Sequence, residues 1–268
     1  MAELIWLFVL CMLLGSVVGF LAGLLGIGGG LLIVPALSAL LVHFHVTDVE
    51  HVIVIAIATS LASILFTSTS SALAHHRNQN VPWKVAPWVL VGVSSGALIS
   101  GFMASYIPQQ GLKAIFAVCV MFIAVRMIYS TQKVTSSRAM PPGPVVAAST
   151  SVLGAISGLI GIGGGALIVP LLNYFSVDMR KAIGCAAVSG IAIALFGCLG
   201  YIASGWQVKS ISDGFLGFVY LPALAGIVAT SWFTAPFGAR ATHFLPVSQI
   251  KKIFALLLVI IALRMVFS

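Results

Sequence analysis

The chain has 268 residues, 60% of them hydrophobic and 7% charged, with a mean hydropathy of +1.17 and a formal charge of +8 at pH 7. A soluble domain carries about 25% charged residues, so this composition excludes one and requires an integral membrane protein. The Lys and Arg fall in short loops, where they set membrane orientation, and nucleic acid is not an expected partner.

A helix crosses the bilayer with about 20 apolar residues, and residues 4–24 suffice for one span. The stretch begins with Glu3, lacks a basic leader and is too long for the apolar core of a signal peptide, so no cleaved signal is expected. A glycine cluster follows, then a shorter apolar arm at 30–44 and a polar loop from His45 to Glu50. Further spans are predicted at 51–74, 85–106 and 112–130. Residues 131–143, with Lys133, Arg138 and Pro141-Pro142-Gly143, form a linker. The order then recurs: 144–160, a second glycine cluster, a short arm at 166–176, and spans at 182–204, 213–235 and 249–267. We therefore divide the chain into a first transmembrane repeat (1–130), a cytoplasmic linker (131–143) and a second transmembrane repeat (144–268).

The repeat is explicit in the residues. Gly23-Leu24-Leu25-Gly26-Ile27-Gly28-Gly29-Gly30-Leu31-Leu32-Ile33-Val34-Pro35-Ala36-Leu37 matches Gly158-Leu159-Ile160-Gly161-Ile162-Gly163-Gly164-Gly165-Ala166-Leu167-Ile168-Val169-Pro170-Leu171-Leu172 at twelve of fifteen positions. The last segments also match, with Lys113, Ile115, Phe116, Ala124, Arg126 and Met127 corresponding to Lys251, Ile253, Phe254, Ala262, Arg264 and Met265. If each short arm counts as a leg of its own, both halves have five legs and are inverted. Arg77, Lys84, Lys133, Arg138, Arg180, Lys181, Arg240, Lys251 and Lys252 then share one side, leaving Lys113 and Lys209 opposite. The positive-inside bias favours this parity, with both termini outside. A re-entrant hairpin in place of two crossings preserves the parity. The expected fold is thus an all-α polytopic bundle of two inverted repeats, about five plus five helical segments, with Gly-broken helices or re-entrant arms.

Gly-interrupted segments at matching places in two halves point to a transporter binding site. Within hydrocarbon a helix breaks only where protein or a wet cavity receives its backbone groups. Gly26, Gly28, Gly29 and Gly30, and Gly161, Gly163, Gly164 and Gly165, are the candidate substrate-binding residues. The first N–H groups of each arm lack helical partners and, with the helix dipole, favour an anion. The upstream ridges Gly15, Gly19, Gly23 and Gly154, Gly158 read as close helix packing; they permit a homodimer and equally packing within one chain. Thr59, Ser60 and Ser189, on the segments after the arms, and Asn173, at the end of the second arm, are further lining candidates. The run Thr67 to Ser71 reads as helix packing. Asp48 and Asp178 correspond between halves and are the first coupling candidates, with capping as their simpler role. His43, His45 and His51 beside Asp48 and Glu50 have no counterpart in the second half, and Cys11, Cys119, Cys185 and Cys198 form no CxxC pair. No metal or cofactor is expected.

The two GIGGG-x-LIVP motifs, in halves of four to five apolar segments, resemble the TauE/SafE (sulfite exporter) family of membrane permeases, also called TSUP. The resemblance spans essentially the whole chain and rests on Gly26, Gly28, Gly29, Gly30 and Pro35, and on Gly161, Gly163, Gly164, Gly165 and Pro170. It implies transport of small sulfur-containing anions, such as sulfite, sulfoacetate or related organosulfonates, across a bacterial inner membrane. With no ATP-binding motif and no catalytic constellation within a span, the expected activity is secondary transport and not catalysis. A passive anion channel and a membrane subunit of a larger complex are the alternatives.

Overall fold

A computed structural model describes residues 2–25, 29–129, 139–208, 211–241 and 247–267. Among them are ten α-helices, joined by short loops. The first five are α1 (Ala2–Leu25), α2 (Gly30–His43), α3 (Val52–Arg77), α4 (Ala86–Met103) and α5 (Gln109–Tyr129). The second five are α6 (Gly143–Ile160), α7 (Gly165–Tyr174), α8 (Met179–Gly205), α9 (Leu221–Ala241) and α10 (Val247–Phe267). Seven of the described helical segments are long and apolar enough to cross a membrane. At 1.5 Å per residue, α2 reaches about 21 Å and α7 about 15 Å, both short of the roughly 30 Å hydrocarbon core. The arms are therefore half-helices, as their length in the sequence leads one to expect.

The helices pack as two related sets. α1 lies on α9 and α6 on α4; α3 packs on α8 and α5 on α10; α2 lies on α3 and α7 on α8. Exchanging the halves maps these pairings onto themselves. Small residues permit the closest approaches: a Cβ on Gly15 or Gly19 would strike Ile227 or Ser231 of α9, and one on Gly154 or Gly158 would strike Val93 or Ser100 of α4. Helix association within lipid depends on such van der Waals contact. Both glycine ridges are thus used inside the chain, so the homodimer they permitted draws no support from them.

The direction of α3 against α8 settles the parity of the repeats. Leu61 meets Gly197, and Ser68, seven residues further along α3, meets Gly190, seven residues back along α8. The two helices are antiparallel. Their ends agree: His51, just before α3, stacks on Phe218, beyond the end of α8, with ring centroids 5.9 Å apart. Asn80, beyond the end of α3, lies against Gly184 near the start of α8. Equivalent helices of the two halves run oppositely, as inverted repeats require. Merging each arm into a single crossing would make α3 and α8 parallel.

One expected element differs. The span predicted at 213–235 begins only at Leu221, because residues 215–220 form a small antiparallel hairpin, β1 (Phe215–Leu216) with β2 (Val219–Tyr220). Gly214 and Gly217 make it possible by adopting φ of 82° and 57°, a region open to glycine at little cost. The tip of the hairpin packs on α8, where Gly217 abuts Ile202 and Phe218 abuts Gly205. Tyr201, fully buried beneath it, donates to the Gly158 carbonyl at 3.2 Å.

Candidate anion site at the glycine breaks

The second break has defined geometry. Gly161 ends α6 with φ 73°, and its N–H and that of Ile162 both bond to the Ser157 carbonyl. Gly164 then caps α7 with φ 74°. In the first half Gly29 holds the matching position before α2, with φ 50°. The left-handed region explains why glycine stands at these turns. The expected residues Gly26 and Gly28 lie outside the described residues.

Each arm begins with N–H groups that its own helix cannot pair. The ladder of α7 opens with Leu167 and Ile168 donating to the Gly164 carbonyl, at 3.0 and 2.8 Å. Gly165 and Ala166 precede that ladder, so their N–H groups have no acceptor within the arm. In α2, Leu32 and Ile33 donate to the Gly29 carbonyl, leaving Gly30 and Leu31 in the same position. Pro35 and Pro170 lie inside the arms; each removes one further donor from its helix.

The two halves meet at this level. Gly30, the first residue of α2, sits against the Gly161 carbonyl, too close for any side chain, and Val34 and Ile57 border Gly161 from the first repeat. Ser60 of α3 donates its hydroxyl to that same carbonyl at 2.9 Å and is fully buried. The loop then runs along α3 toward α8, where the Gly163 carbonyl faces Gly190 and Ser68. The start of one arm, the break before the other and the crossing of α3 with α8 are therefore one contiguous locus.

Other expected residues take defined roles. Thr59 accepts a hydrogen bond from the Tyr220 backbone N–H at 3.0 Å, tying α3 to the hairpin. Ser189 donates to the Cys185 carbonyl of its own helix at 2.8 Å. Asn173, half-buried near the end of α7, donates to the Met179 sulfur at 3.1 Å. Asp178 is exposed and caps α8, accepting from the Arg180 N–H at 3.0 Å. It stands about 18 Å along α8 from Gly190. Asp48 is exposed before the short turn Val49–His51, and its carbonyl accepts from His51. Neither carboxylate is at the breaks. No group of three or more His, Cys, Asp or Glu able to hold a metal ion occurs among the described residues.

Among the described residues, the buried hydroxyl oxygens of Thr47, Ser157 and Ser231 have no hydrogen-bond partner. Ser157, on the last turn of α6, is fully buried with its Oγ unpartnered. Ser68 is 7% exposed and packs against Gly190 of α8, whereas Thr67 and Thr69 beside it bond to carbonyls of their own helix. Ser68 thus takes part in the packing of α3 on α8, in keeping with the expectation for Thr67 to Ser71. Its signal in the sequence is the spacing of Ser60, Ile64 and Ser68, which places all three on one face of α3.

This fold and this locus define a polytopic helical membrane protein with two half-helices whose broken ends meet between inverted repeats. The family model for the sulfite exporter TauE/SafE matches residues 11–265. The chain belongs to that family. It is 38% identical over 260 residues to a "Probable membrane transporter protein" of Haemophilus influenzae, covering 96% of this chain and 97% of that one. It is 28% identical to a protein of the same description, MJ0441, from Methanocaldococcus jannaschii (82% and 80% covered), and 25% identical to YunE of Bacillus subtilis (97% and 98% covered). No solved structure matches the chain. The protein is a multi-pass membrane transporter.

Proposed function

We propose that the chain is a secondary transporter of a small sulfur-containing anion, such as sulfite or an organosulfonate like sulfoacetate, across a bacterial inner membrane. The observation that carries this reading is the meeting of the two breaks, where Gly30 abuts the Gly161 carbonyl and Ser60 bridges the repeats. The first N–H groups of α2 and α7, which their own helices cannot pair, would with the helix dipoles hold the oxygens of an anion without a protein cation. The family description supplies the sulfur chemistry.

The antiparallel α3 and α8 support alternating access around a site at the repeat interface. In this reading residues 1–130 and 144–268 are the moving units, and the basic linker 131–143 is cytoplasmic. Asp48 and Asp178, at the ends of α3 and α8, are proposed as the places where coupling protons would bind, apart from the anion itself.

The test is uptake of labelled sulfite and sulfoacetate by proteoliposomes holding the purified full chain. Saturable uptake with counterflow by unlabelled substrate is expected, with loss in Gly29→Val and Gly164→Val variants that remain folded. Absence of counterflow with measurable single-channel current would make the protein an anion channel. Unchanged uptake in both variants would move the site away from the breaks.

A further inference from the structure

We propose that the end of the molecule where α3 finishes and α8 begins binds the headgroup of an anionic phospholipid, held by Arg77 and Lys84 of the first repeat and Arg180 and Lys181 of the second. The inference is independent of the transported anion, since it concerns the lipid around the protein.

Folding brings these cations to one junction. Asn80, just past the end of α3, abuts Gly184 of α8, where any side chain would strike it. Arg180 stands four residues before Gly184, about one turn away on the same face of α8, and Lys181 follows it. Arg77 is the last residue of α3. The chain beyond Asn80 folds back, so that Trp83 meets His76 edge-on with ring centroids 5.7 Å apart, and Lys84 is next to it. All four cations are exposed. The chain has five carboxylate side chains. Only Asp178 is at this end, where it caps α8 by accepting the Arg180 backbone N–H. Asp48 and Glu50 precede α3 and Asp213 follows α8, which puts them at the opposite end. Glu3 is there too, because α1 runs parallel to α9, with Gly15 meeting Ile227 and Gly19 meeting Ser231.

Neither orientation nor local structure accounts for this grouping. The positive-inside bias asks for Lys and Arg somewhere in the loops, not for residues of both repeats at one junction. The dipole of α8 disfavours cations in its first turn, where Arg180 and Lys181 stand. Like charges so placed, with one carboxylate among them, repel until an anion lies between them. Two exposed tryptophans indicate where that anion resides. Trp83 is 52% exposed beside Lys84, and Trp88, 46% exposed, lies against Gly143 where α4 and α6 begin. Tryptophan favours the headgroup level of a bilayer, so the cations stand at the depth of lipid phosphates. Basic clusters between helix ends suit such headgroups. A phosphate bonded by Arg180 on one side and Arg77 or Lys84 on the other ties the two repeats together at the end of their crossing.

The experiment titrates the purified full-length chain in a neutral detergent with phosphatidylglycerol, with phosphatidylcholine of the same acyl chains and with inorganic phosphate, reading the rise in Tm. Phosphatidylglycerol is expected to raise Tm by several degrees at a concentration where the other two do not, and the rise shrinks as sodium chloride is added. In Arg180→Gln/Lys181→Gln the affinity for phosphatidylglycerol falls more than about tenfold, the scale of two cations at an anionic headgroup. The Asp178 cap is kept there, because it uses a backbone N–H. Lys84→Gln weakens binding about fivefold. Lys113→Gln, near the start of α5 at the opposite end, stays within about twofold of wild type, being beyond the screening length. Equal shifts with the two lipids would overturn the proposal. Unchanged affinity in both patch variants would overturn it too, by moving the lipid away from these cations. An equal shift with inorganic phosphate would make the patch a site for a soluble anion and overturn the lipid reading. Should the double variant not fold, the Lys84→Gln affinity decides the matter alone.

Discussion

Gly164 shows how much a single position can constrain a broken helix. Its φ of 74° is in the region that a side chain resists, and a Cβ there would press on Ile193 and Ile168. Both effects oppose any substitution, and the backbone term alone costs about 1–3 kcal/mol. Gly164→Ala is therefore expected to lower the apparent Tm of the purified protein by several degrees. A variant as stable as wild type in a melting curve would mean that the turn before α7 relaxes without the left-handed conformation. The glycine at this position was legible because the GIGGG motif stands twice in the chain. The availability of each hydroxyl was not. Ser60, Thr59 and Ser189 are as polar as Ser68 in the sequence, and only the neighbours brought by folding distinguish them.

At the scale of elements, the short arms, the breaks and most helix ends were readable from apolar run length and glycine content. The hairpin between α8 and α9 was not, because Phe215, Leu216, Val219 and Tyr220 are as apolar as the span that follows them. What makes them a separate element is distant: the Tyr220 N–H bonds to Thr59, 161 residues away, and Phe218 stacks on His51. Replacing Thr59 by Val keeps the shape and removes the acceptor, leaving a buried N–H unpaired at a cost of about 1–3 kcal/mol. Thr59→Val should speed hydrogen exchange at the Tyr220 amide while α3 itself stays protected. Exchange at the wild-type rate would show that the hairpin is held by its apolar contacts without that bond.

For the whole molecule, the antiparallel crossing of α3 and α8 has a consequence for sidedness. Single cysteines replacing Asp48 and Asp213 should react with an impermeant maleimide from the same face of the membrane. Cysteines replacing Gln79 and Ser176 should react only from the opposite face, the face that the positive-inside bias predicts to be cytoplasmic. The native Cys11, Cys185 and Cys198 are buried, and the unsubstituted chain measures the background from the remaining Cys119. Labelling of positions 48 and 213 from opposite faces would contradict inverted repeats and require the arms to be merged with their preceding helices.

By itself the sequence determined that this chain lives in a membrane, that it is built twice over, and where each copy breaks. Those properties are local or repetitive: hydropathy is a sum over neighbouring residues, and an internal repeat is visible as identity at a constant offset. Only the tertiary structure decided that α3 opposes α8, that the arm beginning at Gly30 meets Gly161, and that the Ser60 hydroxyl reaches the Gly161 carbonyl across the repeats. These depend on contacts between residues far apart in the chain, such as the 101 residues separating Ser60 from Gly161. A hydroxyl commits to an acceptor only when packing brings one within about 3 Å.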